Sequence, residues 1–379
     1  MMSDHPIIIK EMRGTRGLRK FIDYPYHLYQ DAANWVPALR MEEMNTFHPK
    51  KNPAYAFSQA KFWMAFRDGQ PVGRIAGIVN QRHIEKWGQR YARFGWFDFI
   101  DDPSVSSALI KTVADWAKSQ GLTALHGPLG FTDLDREGML IEGFDEMGTL
   151  ATHFNYPYYQ KHLEAVGFAK DTDWVEYEII IPERLPEKII KLAEALQKRY
   201  GLRLVEFKRK KDLLKYADAV FELLDDAYSH LYGTTPLSRE QVQFYIDQYF
   251  GLVNLDFVPV IVDENDDLVA FGITFPSLSA ALRKAKGRIL PFGFIPLLRA
   301  LRRNDKGDLY LVAIKHEYQG KGINAILMVR MIEVFNQFGI TRAESNPELE
   351  DNLNVRTQWK HFEHRQHKRR RVFIKHFDS

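Results

Sequence analysis

The chain has 379 residues, 45% apolar, 13% aromatic and 27% charged, with 52 Lys and Arg against 49 Asp and Glu for a net charge of +3. That length predicts two or three domains, that composition a folded globular protein, and that small charge no chain-wide nucleic-acid or anionic-membrane footprint. The absence of cysteine excludes disulfides, thiolate zinc, iron–sulfur ligation and a cysteine nucleophile, and the histidines show no HExxH-type spacing, so no metal is expected.

Met1–Pro6 lacks the basic-then-apolar layout of a signal peptide, and no run of about 18 apolar residues occurs, so a cytoplasmic protein without a transmembrane segment is expected. Leu18–Trp35 reads as an aromatic-rich helix. Phe62–Arg67 and Val72–Val79 read as two strands around the turn Asp68-Gly69-Gln70, because such residues tolerate left-handed backbone. A strand (Ala92–Phe99), a helix (Ser104–Lys118) and another strand (Leu122–Leu125) follow. The second half repeats this order. Helices over Asp212–His230 and Arg239–Tyr249 precede a hairpin, Phe257–Val262 and Leu268–Phe275, around the polar turn Asp263–Asp267. Then come a strand (Asp308–Ile314), a helix (Gly322–Phe338) and a strand (Arg342–Ser345).

The same order after about 190 residues predicts one mixed α/β unit duplicated in tandem. The join is placed at Ile181–Pro186, giving domains 1–182 and 183–379. Past it, Lys188–Tyr200 reads as an amphipathic helix ending before Gly201.

The strongest chemical signal is Gln319-Gly320-Lys321-Gly322-Ile323-Asn324, between an apolar strand and an apolar helix. A glycine loop at a helix N-terminus turns backbone N–H groups and the positive end of the helix dipole toward one point, which suits a pyrophosphate. Lys321 adds a mobile cation. The spacing is neither the Rossmann nor the Walker pattern. The first half has Asp101-Asp102-Pro103-Ser104 at the equivalent place, a good helix start but a repulsive one for phosphate. His126–Phe131 and Glu142–Phe144 read as loop segments at the sheet ends.

The loop resembles the Q/R-x-x-G-x-G/A acyl-CoA pyrophosphate loop of the GNAT-type N-acetyltransferases, and Leu311–Tyr318 before it resembles that family's fourth strand and turn. His316 stands where proline is usual, and Asn324 where glycine or alanine is. The resemblance implies two tandem GNAT-like domains, each a mixed, mostly antiparallel twisted sheet flanked by helices. It implies a fourth strand splayed from its neighbour, the main chain of Val312, Ala313 and Ile314 against pantetheine, and the loop Gln319, Gly320, Lys321, Gly322, Ile323, Asn324 on the pyrophosphate. It further implies acetyl-CoA or another acyl-CoA as co-substrate and a small-molecule or peptide amine as acceptor, hence an N-acyltransferase, with the first domain a degenerate copy. Loop-anchored alignment puts Asp308 where some members carry their general base, and Glu344 on the next strand is the second candidate. Trp359 falls near the position where a tyrosine often protonates the leaving thiolate. A non-catalytic protein of this fold, or an aminoacyl-tRNA-dependent transferase of duplicated GNAT-like domains, are the other readings.

Two basic segments stand apart. Arg283–Arg288 leads into apolar Ile289–Leu298 and then Arg299, Arg302 and Arg303. A helix packing on the core is favoured over a lid or a peripheral membrane contact. Arg365–Lys375 reads more as a hairpin's last strand with exposed cations than as a site for RNA or acidic lipids. Aromatic Phe154–Tyr159 and Ile289–Leu298 are expected to form a shared apolar surface between the domains.

Overall fold

Asp68 and Gly69 both adopt positive φ, 50° and 76°, so the first hairpin closes through the two-residue turn its sequence predicts. It is part of a computed structural model that describes residues 5–378. The strands in chain order are β1 (Ile8–Glu11), β2 (Ser58–Arg67), β3 (Gln70–Asn80), β4 (Tyr91–Phe99), β5 (Ala124–Gly127), β6 (Met139–Glu142), β7 (Ala169–Ile180), β8 (Arg203–Leu204), β9 (Val260–Val262), β10 (Leu268–Pro276), β11 (Lys306–Ile314), β12 (Arg342–Ser345), β13 (Glu348–Leu349) and β14 (His364–His376).

They form one continuous sheet in the order β1-β2-β3-β4-β5-β14-β7-β12-β11-β10-β9-β8, with β6 added on β14 and β13 on β7. Among the described residues only β4–β5 and β11–β12 are parallel pairs. Each is joined by a helix, Pro103–Ser119 and Asn324–Phe338, as a parallel crossover requires. The former starts at Asp102, whose side chain accepts the Ser104 N–H, and packs Val105, Leu109 and Val113 on Phe94 and Phe99. The latter buries Ile332 and Phe335 against Ile179 and Ala343. The fold is thus two units of mixed sheet and helix in tandem. Among the described residues no helix is long and apolar enough to cross a membrane.

Two expectations are corrected here. The basic C-terminal run is not a hairpin edge with exposed cations, because β14 lies at the centre of the sheet, paired with β5 and along most of β7. Lys368 is 1% exposed and Arg370 fully buried. Burial of such cations requires opposite charges at hand, and Glu176, Asp173 and Glu344 on β7 and β12 supply them. The two apolar segments do not share one surface either. Tyr156, Tyr158 and Tyr159 pack in the first-half core with Phe97 and Phe99, whereas Ile289 and Leu297 pack on Val36, Leu39, Met147 and Leu150.

A candidate active site at the splayed strand

β11 pairs with β12 only from Lys306 to Leu309. Tyr310 is a bulge: Leu309 faces Thr274 and Leu311 faces Ile273, so Tyr310 has no partner on β10. A bulge bends and twists its strand, and the strand leaves β12 at this point, as the resemblance implies. Beyond it, the Gly272 N–H is committed to Pro259 on the far side of β10. Gly272 and Val312 are therefore a non-hydrogen-bonded pair, which turns the polar groups of Val312, and of Ile314 two residues on, toward the open edge. Side chains meet them there. The Tyr228 hydroxyl donates to the Val312 carbonyl at 3.1 Å and Gln319 Nε2 to the Ile314 carbonyl at 3.0 Å. Ala313, between them, is buried toward Val260 and Phe271.

The loop follows directly. Gly320 and Gly322 have φ of 70° and 82°, conformations that L side chains adopt reluctantly. A Cβ at Gly320 would meet nothing within 4 Å, so backbone conformation rather than space requires glycine there. Buried Ile323 anchors the loop in the core with Leu196 and Ile326, and Asn324 opens the 15-residue helix to Phe338. No acidic residue lies in that helix's first turn. Lys321 is exposed, its Nζ 5.4 and 5.5 Å from the ring centres of Tyr200 and Tyr318.

Asp308 lies just before the bulge and is 4% exposed, with Oδ1 lacking a hydrogen-bond partner. Burial first, then the Glu344 carboxylate opposite it on β12, pushes its carboxyl up to about 7, against the attraction of Lys306. The Tyr310 hydroxyl nearby is also buried without a partner, and burial followed by Asp308 raises it well above the usual tyrosine range. Glu344 is in a different situation. One of its oxygens is ion-paired with Lys306 and the other with Lys368. Lys368 also reaches Glu176 at 3.0 Å, and Arg370 reaches Glu176 at 2.5 Å. Burial raises the Glu176 carboxyl, but Arg370 and Lys368 outweigh it and hold it at about 2. Glu176, Glu344 and His367 have the spacing of a metal site; the Lys368 ammonium already stands between the two carboxylates as their cation.

Other groups near the opening carry no motif and escape a reading of the sequence. A narrow crevice of about 20 Å³ between the halves is lined by Lys86, Asp133, Leu134, Asp225, Tyr228 and Thr235. Burial pushes Asp225 up to about 6 and also raises Asp133 and, more strongly, Glu137. Glu348, on β13, accepts the Trp359 indole N–H at 2.9 Å and is pushed by burial to about 7. Trp359 itself is 4% exposed and packs in the core around Phe335. The tyrosine at that edge is Tyr228, the last residue of the Ala217–Tyr228 helix, 84 residues before Val312 in the chain.

The first half shows what happens without a loop. β4 pairs with β5 only over Tyr91–Arg93 and then also diverges. There the Tyr159 hydroxyl accepts the Phe99 N–H at 3.0 Å and the Tyr158 hydroxyl donates to the Phe99 carbonyl at 2.5 Å. The Tyr29 hydroxyl lies 2.6 Å from that of Tyr159 and donates to buried Asp98. Aromatic side chains occupy that strand edge, and Asp102, where the second half has its glycine loop, is ion-paired with Arg67 at 2.7 Å.

No family model matches the chain. It is 27% identical over 378 residues to Protein YghO of Escherichia coli K12, covering 97% of this chain and 95% of that one. It is also 27% identical over 346 residues to a protein named bacterial ceramide synthase from Caulobacter vibrioides, covering 88% of each. Among solved structures, a tandem GNAT protein from the clavulanic acid biosynthesis pathway superposes with a TM-score of 0.56 at 11% identity, over 99% of this chain and 100% of that one. With its duplicated mixed sheet, splayed strand and glycine loop, the chain has the tandem GNAT fold.

Proposed function

We propose that the protein is an acyl-CoA-dependent N-acyltransferase whose donor binds in the second half only. The observation that carries this reading is the edge of β11 that no strand covers beyond Leu309, where only the side chains of Tyr228 and Gln319 meet the Val312 and Ile314 carbonyls and pantetheine would replace them, with the Gln319–Asn324 loop immediately after. Pantetheine would pair with that edge and the pyrophosphate would sit over the loop, with Lys321 as counter-charge. The filled edge at Phe99 and the Asp102–Arg67 pair support leaving the first half without a donor.

The reaction is direct aminolysis. The amine nitrogen attacks the thioester carbon, the C–N bond forms, the C–S bond breaks, and the thiolate leaves. Asp308 accepts the proton shed by the nitrogen; a carboxyl held near 7 by burial is matched to that task at neutral pH. Glu344, ion-paired with Lys306 and Lys368, still raises the Asp308 carboxyl through its charge and so acts as a positioning residue.

For the acceptor we propose a primary amine on a long apolar chain, since a ceramide is the amide of a fatty acid with a long-chain amino alcohol and one relative is named for making it. The test is calorimetry with acetyl-CoA and palmitoyl-CoA on the wild type and Lys321→Glu, followed by amine screening. The reading expects a single donor site, weakened roughly tenfold or more by the charge reversal. No binding by the wild type, or equal affinity in the variant, overturns it. Turnover of polar amines alone would remove the long-chain acceptor and leave the donor site standing.

A further inference from the structure

Between β10 and β11 the chain inserts two short helices, Ser279–Ala285 and Phe294–Arg302. Their inner side is fully accounted for. Leu278, Ala281, Leu282 and Leu297 are buried against Val36 and its neighbours. The turn between the helices is fastened to the first half: the Arg40 N–H donates to the Gly287 carbonyl and Arg40 Nη1 to the Lys286 carbonyl at 2.7 Å. The Arg40 guanidinium in turn lies 3.3 Å from the Tyr26 ring centre.

The outer side is apolar too. Leu290 is 74% and Phe292 72% exposed, and Phe294, Ile295 and Leu298 beside them are also exposed. A helix that only packs needs one apolar stripe. The Phe294–Arg302 helix has two, with Leu297 inward and Phe294, Ile295 and Leu298 outward. Five large apolar side chains displayed in nine residues are a patch that covers something.

Charge identifies the occupant. From Leu268 to Asn304 the sequence holds seven cations, Arg283, Lys284, Lys286, Arg288, Arg299, Arg302 and Arg303, and no Asp or Glu. None of the seven forms an ion pair among the described residues, whereas cations elsewhere in the fold commonly do. A second copy docked two-fold on this face would bring like charges together. We propose that this face is a membrane-docking surface, with Leu290, Phe292, Phe294, Ile295 and Leu298 entering the acyl boundary of an anionic phospholipid bilayer and the flanking Arg and Lys meeting its headgroups. Rigid attachment to the first half keeps the apolar tip presented without ordering on binding.

The experiment uses the full chain without any acyl-CoA, so it is independent of the acyl-transfer reading. Co-sedimentation is measured with vesicles of phosphatidylcholine and phosphatidylglycerol at 70:30, and of phosphatidylcholine alone, in 0.1 M salt. Wild type pellets with the anionic vesicles. Leu290→Ser with Phe292→Ser weakens this roughly tenfold or more at unchanged Tm, because both side chains are solvent-exposed. Arg299→Glu with Arg303→Glu removes the preference for phosphatidylglycerol. Because the chain has no cysteine, Leu290→Cys carrying an environment-sensitive dye reports insertion directly as a blue shift. Absence of pelleting with either vesicle, equal pelleting of the serine double variant, or a wild-type dimer that this variant abolishes would each overturn the proposal.

Discussion

Replacing Asp308 by asparagine should make the protein more stable and less active, and the stability gain should grow with pH. The carboxyl ordinarily ionises near 3.8 and is held at about 7 in the fold, by burial and by Glu344. The folded state therefore keeps a proton that the unfolded chain releases. The wild type loses stability as pH rises from about 4, and the loss levels off above about 7. An upper bound on the whole penalty is about 4 kcal/mol. Asparagine never ionises. Urea unfolding should show the variant more stable by up to about 4 kcal/mol at pH 8 and by about 2 kcal/mol at pH 5.5. If Asp308 is also the base, turnover at pH 7 falls roughly 10²–10⁴-fold while donor affinity is unchanged. A stability difference that is independent of pH, or a variant less stable at pH 8, would refute the account of this carboxyl. A stability gain with full activity would leave the electrostatics intact and remove Asp308 from catalysis.

Lys368→Met should cost about 3–5 kcal/mol in urea unfolding, since it leaves Glu176 and Glu344 facing each other without their shared cation. Glu176, held near 2 in the fold, stabilises the protein above the unfolded glutamate value of about 4.3; that contribution is lost as pH falls through 2, which an acid titration by circular dichroism will follow. Tyr228→Phe removes a hydroxyl from the open edge of β11 and should change stability by no more than about 1 kcal/mol, while altering donor affinity measured by calorimetry. Expressed separately, residues 1–182 lack β14 between β5 and β7, and residues 183–379 lack β7 beside β12, so neither piece should melt cooperatively on its own.

Local order determined much of this protein in the sequence itself. Asp68-Gly69 can close only a tight hairpin, Asp102-Pro103 can only start a helix well, and an apolar strand followed by Gly320 and Gly322 gives a turn of limited shape; each depends on φ preferences and periodicity within a few residues. The strand and helix around the loop therefore lie within two residues of where the sequence puts them, β11 at Lys306–Ile314 against Asp308–Ile314 and the helix at Asn324–Phe338 against Gly322–Phe338.

Pairing across long separations was decided only by tertiary structure. Lys368–Arg371 carries the signature of a solvated charge run, and Lys368 and Arg370 are buried and Arg369 and Arg371 half-buried only because β14 meets β7 nearly 200 residues away, where Asp173 and Glu176 pair with them. Nothing local marks Asp133, Glu137, Asp225 or Tyr228 as neighbours, because a carboxylate's protonation depends on what the fold packs around it. The same holds for Tyr158 and Tyr159. Their residue type says aromatic core, and only the divergence of β4 from β5 turns their hydroxyls into the partners of Phe99 at the strand edge.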